Sequence, residues 1–277
     1  MTLHAPEDVE AALCRLSFRH FVEQAWLVAE PSTPLMPSVA IDAICAVLQE
    51  AASGGRWVIA CAPGVSKSTL VSRMFPAWLF LRTSGQARIM AGSYSADLAE
   101  YDSVKCRALV MSEWFASMAC DWAVRSDVGN EKNDWGTTAQ GRRVVSSVGS
   151  ATTGKRVRYQ IVDDPLSVKD AYSLAKRRDA CRWINEVLPS RLDDPLNDMR
   201  VVVGQRVHPE DPIGSLLEQG GWNYLRVPAL ADNEPCEVRR ADGSVIWRDA
   251  RAEGEPVFAL QSVEALERLK AQLGSVA

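Results

Sequence analysis

Between Trp57 and Thr69 the chain passes from an apolar run, Trp57-Val58-Ile59-Ala60-Cys61, through a loop of small residues into Lys67-Ser68-Thr69 and a helical pattern. A buried strand that becomes a helix around a lysine and a hydroxyl is a narrow constraint on a fold. The N-terminus of a helix gathers unpaired backbone N–H groups and the positive end of the helix dipole, so it favours an anion. A loop of small residues lets those amides close round a phosphate. The lysine adds a mobile positive charge, and the hydroxyl after it can ligate Mg²⁺. The segment therefore reads as a phosphate-binding loop, with Ala62, Pro63, Gly64, Val65, Ser66, Lys67, Ser68 and Thr69 as its nucleotide contacts. Against the pattern G-x-x-x-x-G-K-[ST], Cys61 and Ser66 stand where glycines are expected. A Ser/Gly turn ahead of an ordinary helix is the competing reading of these residues alone.

A second segment bears on that choice. Tyr159-Gln160-Ile161-Val162 has the composition of a buried strand and runs straight into Asp163-Asp164-Pro165. In a phosphate-loop sheet, the strand beside the loop is expected to end in such a pair. Asp163, with Ser68, is then the candidate metal ligand, and Asp164 is the group that polarises the attacking water. The same residues also suit a helix start, because Asp caps a helix and Pro fits its first position. Together, at an α/β spacing, the two segments favour the catalytic reading.

Composition sets outer limits. A chain of 277 residues can bury one large core or two modest ones. No run of 18 or more apolar residues and no signal-peptide pattern is present, which predicts a soluble, unexported protein with no membrane partner. The seven cysteines are odd in number, scattered and free of any C-x-x-C pair, so they read as reduced core residues rather than a disulfide frame or zinc site. A net charge of −4 argues against a protein coated with positive field and leaves local basic stripes as the route to nucleic acid. Two candidates exist: Arg142-Arg143 with Lys155, Arg156 and Arg158, and Lys176-Arg177-Arg178 with Arg182. The second falls on a predicted helix, where a solvated face explains it better.

Periodicity predicts helices over Glu7 to Ala29, Val39 to Ala52, 68–82, Ala96 to Ala119, 170–188, 211–219 and 262–273. Strands are predicted at Trp57 to Cys61, Arg88 to Ala91, Arg143 to Val148, 157–162, Met199 to Val203 and Tyr224 to Val227. Strands alternating with helices imply an α/β fold with a mainly parallel sheet flanked by helices, and a ligand at the strand C-termini. The chain divides into an N-terminal helical segment (1–54), a core (55–228) and a small C-terminal lid or linker subdomain (229–277).

From Arg56 to Gly274 the residues resemble the large terminase subunits of tailed bacteriophages, motors that package viral DNA. The likeness is carried by Ala62-Pro63-Gly64-Val65-Ser66-Lys67-Ser68, Ala91-Gly92-Ser93-Tyr94-Ser95 with Ala99, Asn133-Asp134-Trp135, and Thr153-Gly154 ahead of Val162-Asp163-Asp164-Pro165. It continues in Ala171-Tyr172-Ser173 with Arg178 and Trp183, Ser190-Arg191-Leu192, Val203-Gly204-Gln205-Arg206-Val207-His208-Pro209-Glu210-Asp211-Pro212-Ile213-Gly214, Val227-Pro228-Ala229-Leu230 and Trp247. The resemblance implies a RecA-like P-loop NTPase of the ASCE class that hydrolyses ATP with Mg²⁺ and drives double-stranded DNA into a procapsid. It implies a homo-oligomeric ring at the portal protein, a small terminase subunit as partner, and the cytoplasm of an infected bacterial host. Gln205 and Arg206, with His208, would sense the γ-phosphate, a plain helix start being the competing reading of His208-Pro209, and an arginine would stabilise transferred charge in cis or from a neighbouring subunit, Arg156 first, then Arg158 and Arg143. The chain departs from the family at Gly64, where an arginine is usual, at Gln205, where a threonine is usual, at Asp164, where many members have Glu, and at Ser66. A non-glycine forced to positive φ at Ser66 costs on the order of 1 kcal/mol. The chain also stops near where the family passes into a metal-dependent nuclease domain, so no DNA cleavage is expected of it. A helicase-like ATPase and a non-catalytic scaffold with a degenerate loop are the alternatives.

Overall fold

The computed structural model describes residues 6–119, 121–126, 131–150, 154–234, 236–239, 243–258, 262–264, 266, 268 and 271. Seven strands form one sheet: β1 (Arg56–Cys61), β2 (Arg88–Ser93), β3 (Asp134–Gly136), β4 (Arg142–Ser147), β5 (Tyr159–Asp163), β6 (Met199–Gly204) and β7 (Asn223–Val227). Their spatial order is β3-β4-β2-β5-β6-β1-β7. Every neighbour pair is parallel except β3 with β4. The acid-bearing strand β5 is therefore not beside the loop strand β1, as expected from sequence; β6 stands between them. Parallel pairing sends Cys61, Ser93, Ser147, Asp163, Gly204 and Val227 to the same edge of the sheet.

The strands read as continuous apolar runs because both faces are covered. Ile59, Ile161, Val201 and Val203 pack on one side with the N-terminal helices, while Val58, Val162 and Val202 pack on the other with Ile213, Leu216 and Trp183. The first side holds α1 (Pro6–Leu16), α2 (Phe18–Ala29), α3 (Val39–Ala51) and α4 (Phe75–Arg82). Its centre is aromatic: Phe18 lies 5.3 Å from both Phe75 and Trp78, and Phe80 lies 5.2 Å from Trp135. The tryptophans thus serve mainly as packing units.

Two predicted helices are broken by residues whose side chains compete for the backbone, and two more change their winding. Ser17 accepts the His20 amide and divides α1 from α2. Ser112 accepts the Phe115 amide and divides α5 (Ala96–Val110) from α6 (Glu113–Met118). The loop helix opens with a π-helical stretch, Thr69–Met74, before α4. The expected helix at 170–188 is a 3-10 turn at Val168–Asp170, then α7 (Leu174–Arg182), then a π turn at Trp183–Val187 ahead of Pro189. Helix α8 (Pro212–Gln219) is capped by Asp211, which accepts the Gly214 amide. The region after Ala229 carries an antiparallel hairpin, β8 (Glu237–Arg239) and β9 (Val245–Arg248). Half of the helix predicted at 262–273 lies outside the described residues, as does Thr153. Among the described residues no helix is long and apolar enough to cross a membrane.

Candidate functional site

The loop after β1 turns on two residues with positive φ, Gly64 at 79° and Ser66 at 59°. Ser66 bears out the backbone requirement inferred for its position; serine holds a conformation that glycine takes without strain. The first bond of the following helix runs from the Leu70 amide to the Ser66 carbonyl at 3.1 Å, so the amides ahead of it face the loop mouth. Ser68 sits at the helix entry with helical φ and ψ, and its hydroxyl makes no cap bond. Thr69 turns away, donating to the Glu30 carboxylate at 3.2 Å.

Across β6, the end of β5 presents Asp163 and Asp164. Lys67 Nζ donates to Asp164 Oδ2 at 2.6 Å, which joins loop and acidic strand in one site. Asp164 has φ 46°, a conformation that Asp tolerates better than most residues. The turn is held by the Asp164 amide donating to Val203 O at 2.8 Å and the Tyr94 amide donating to Asp164 O at 3.0 Å. Gly204 lies close beneath: a Cβ there would stand 3.2 Å from Asp164 Oδ1.

Asp163 is 4% exposed. Its Oδ2 accepts from the Ser72 hydroxyl at 3.1 Å, while Oδ1 is buried with no donor. Burial first, then the Asp164 charge, push its carboxyl up to about 6, against the pull of Lys67 and a hydrogen bond from Ser68. Burial works against the Lys67 charge, but Asp163 and Asp164 outweigh it and hold its pKa above the ordinary lysine value. A buried carboxylate oxygen, with the Ser68 hydroxyl close enough to that carboxylate to stabilise its charge, fits a hard divalent cation such as Mg²⁺, which takes oxygen ligands. Cys61, by contrast, is buried and its thiol is pushed up to about 12, so it is neutral here and offers no ligand.

The structure places the remaining expected residues unevenly. Gln205 and Asp164 share a depression of about 10 Å³, room for about one water. Arg206 does not point to the loop. Its Nε donates to both carboxylate oxygens of the α8 cap Asp211 at 3.1 and 3.0 Å, and an Nη donates to Pro209 O at 3.1 Å. His208 Nδ1 accepts the Glu210 amide at 3.0 Å, the geometry of a helix start. Arg156 and Arg158 precede β5, so they lie at the opposite edge of the sheet from Asp163, with roughly 13 Å of strand between. Arg158 lies over the Tyr159 ring, and Arg156 is exposed. Neither is brought to the loop within one chain.

The first basic stripe dissolves. Arg142 and Lys155 both bind Asp134, and Arg143 is wholly buried, donating to Ser72 O at 2.8 Å. In the second, Arg177 is buried against Ala171 O and Glu210, leaving Lys176, Arg178 and Arg182 outward. Several contributors escaped the sequence reading. Arg73 is clamped between Asp102 at 2.7 Å and Glu30 at 2.6 Å, tying the loop helix to α5 and to the end of α2. Ser72 is four residues past Ser68, on the same helix face, which was the available signal. A separate cavity of about 310 Å³ lies between Pro228 and the β8–β9 hairpin, and its acid-rich lining (Asp232, Glu234, Glu237, Asp249, Glu253) does not suit an anion.

Compared with known proteins, the sequence matches no family model and no curated protein.

Proposed function

We propose that this chain is a Mg²⁺-dependent ATPase of the P-loop, RecA-like ASCE class, acting as the motor domain of a terminase large subunit that moves double-stranded DNA into a procapsid. The observation that carries the reading is the meeting of Lys67 and Ser68 with Asp163 and Asp164 at the C-terminal edge of a parallel sheet.

In this reading the loop amides from Ala62 to Thr69 and the Lys67 ammonium bind the triphosphate of ATP, the substrate. Lys67 exchanges Asp164 for phosphate oxygens, and the freed carboxylate is left facing the one-water depression it shares with Gln205. Asp164 and Gln205 then orient the attacking water. Mg²⁺ held by Ser68 and Asp163 would neutralise charge on the β- and γ-phosphate oxygens. Arg206 acts at a distance, by holding the turn that carries Gln205. Arg156, at the far edge, can serve only a neighbouring subunit, in keeping with a ring at the portal protein. The DNA, the portal and procapsid, the small terminase subunit and the cytoplasm of an infected bacterium enter with the terminase resemblance alone.

The test is ATP turnover by the pure protein with Mg²⁺, with and without double-stranded DNA, beside Lys67→Ala. Turnover that needs Mg²⁺, rises with DNA and vanishes in a folded Lys67→Ala variant is expected. Unchanged turnover in that variant removes the loop assignment. Nucleotide binding without turnover selects the scaffold alternative.

A further inference from the structure

The loop helix carries a proline, Pro76, in its interior. In an α-helix residue 76 would donate its amide to the carbonyl of Ser72, four residues back. Proline has no amide hydrogen, and its ring collides with that same carbonyl. Around this point the helix is widened: Thr69–Met74 is π-helical, with the Phe75 amide reaching five residues back to Leu70 O. The donor that Ser72 O lacks comes from another element. Arg143, on β4 and 0% exposed, sends Nη1 to Ser72 O at 2.8 Å. A buried guanidinium is costly unless well partnered, yet Arg143 Nε and Nη2 have no hydrogen-bond partner. Its charge is faced by Asp102, which it helps to keep ionised against burial. That arrangement fixes the backbone of Ser72, and the Ser72 hydroxyl donates to Asp163 Oδ2 at 3.1 Å.

We propose that Ser72 and Arg143 are positioning residues for the metal site: Arg143 locks the Ser72 turn, Ser72 occupies Asp163 Oδ2, and Asp163 Oδ1 is thereby reserved for the divalent cation. The inference rests on the reading of the loop as a Mg²⁺-nucleotide site and names how that site is set. It assigns Ser72 no contact with phosphate. A side chain that only supported the fold would lower stability without altering how much Mg²⁺ the site requires.

The experiment titrates Mg²⁺ into the full chain with a fluorescent ATP analogue and reads the Mg²⁺ concentration for half-maximal binding, with parallel titrations of the analogue in EDTA. Ser72→Ala should need about tenfold more Mg²⁺, the scale of a hydrogen bond to a charged group, with the EDTA affinity unchanged. Ser72→Thr, which keeps the hydroxyl, should return the requirement to within about twofold. Arg143→Met should shift it in the same direction. The double variant Ser72→Ala with Arg143→Met should be no worse than Ser72→Ala alone, because both act through one hydroxyl. Circular dichroism of each variant checks folding, and Ser72→Ala carries the test should Arg143→Met fail to fold. Wild-type binding that depends on Mg²⁺, with Ser72→Ala showing the same dependence, overturns the proposal and leaves the nucleotide site standing. Additive shifts in the double variant remove Arg143 from it. Wild-type protein that binds no Mg²⁺-nucleotide overturns the site reading itself, and this inference with it.

Discussion

Replacing Lys67 by Met removes the cation that stands between two carboxylates, and its cost should depend on pH in a way the geometry fixes. Asp163 is 4% exposed, and its pKa is raised from 3.8 to about 6, a rise of about 2 units. Because the folded value lies above the unfolded one, the folded chain binds the proton more tightly. Stability from this group is fully present below about pH 4 and is lost as pH rises through about 6. At pH 8 the buried charge costs roughly 3 kcal/mol. Lys67 is the larger of the two influences that hold that cost down. Without it the pKa climbs further, and each added unit costs roughly 1 kcal/mol at pH 8 and almost nothing at pH 5, where Asp163 is mostly protonated already. Asp164, whose side chain is 26% exposed, recovers water when its partner goes. Lys67→Met should therefore lose more stability at pH 8 than at pH 5, by roughly 1 kcal/mol for each unit that the Asp163 pKa climbs, read from urea unfolding of variant and wild type at both values. An equal loss at both, or a larger one at pH 5, would refute the electrostatic account of the site.

Asp163→Ala should weaken binding of Mg²⁺-nucleotide, whereas Asp164→Asn should bind ATP and fail to hydrolyse it; equal loss of binding in both would overturn this division of roles. Ser66 holds φ 59° in the folded chain, so Ser66→Gly should relieve about 1 kcal/mol of strain in folding, offset in part by glycine's freedom when unfolded. ATP affinity should then change less than about twofold, and tightening by about fivefold would show instead that the loop reaches this φ only with nucleotide. Gly204→Ala sets a methyl 3.2 Å from Asp164 Oδ1 and should lower turnover more than nucleotide binding. Loss of binding with intact turnover per bound nucleotide would contradict that placement.

The α/β architecture was legible because the strands are β-branched runs and their punctuation is strong: Met199-Arg200-Val201-Val202-Val203 could hardly be other than a buried strand. Strand order was not, since nothing in the local sequence says that β6 enters between β1 and β5. The loop and the acid pair were found because each is contiguous. Ser72, Asp102 and Arg143 were missed as a group because their meeting is tertiary; Pro76 was the local sign that the helix would not be regular. The edge of the sheet that carries Arg156 was legible as well. A residue in the loop feeding a strand sits at the strand's N-terminal edge, and in a parallel sheet that edge faces away from the ligand. Arg206 was drawn to the site by resemblance, while Asp211-Pro212, a cap followed by proline, marked the local carboxylate that claims it.

The aromatic packing between α1–α3 and the sheet has a practical consequence for anyone who would cut this polypeptide. The join at Gly54-Gly55 looks like a linker, and Gly54 does turn there at φ 125°. A fragment beginning after it, however, would uncover Phe75 and Trp78, whose ring neighbour Phe18 belongs to the removed piece. It would also strip Arg73 and Thr69 of Glu30. Such a fragment should be recovered as aggregate, and limited proteolysis of the intact chain should spare Gly54-Gly55.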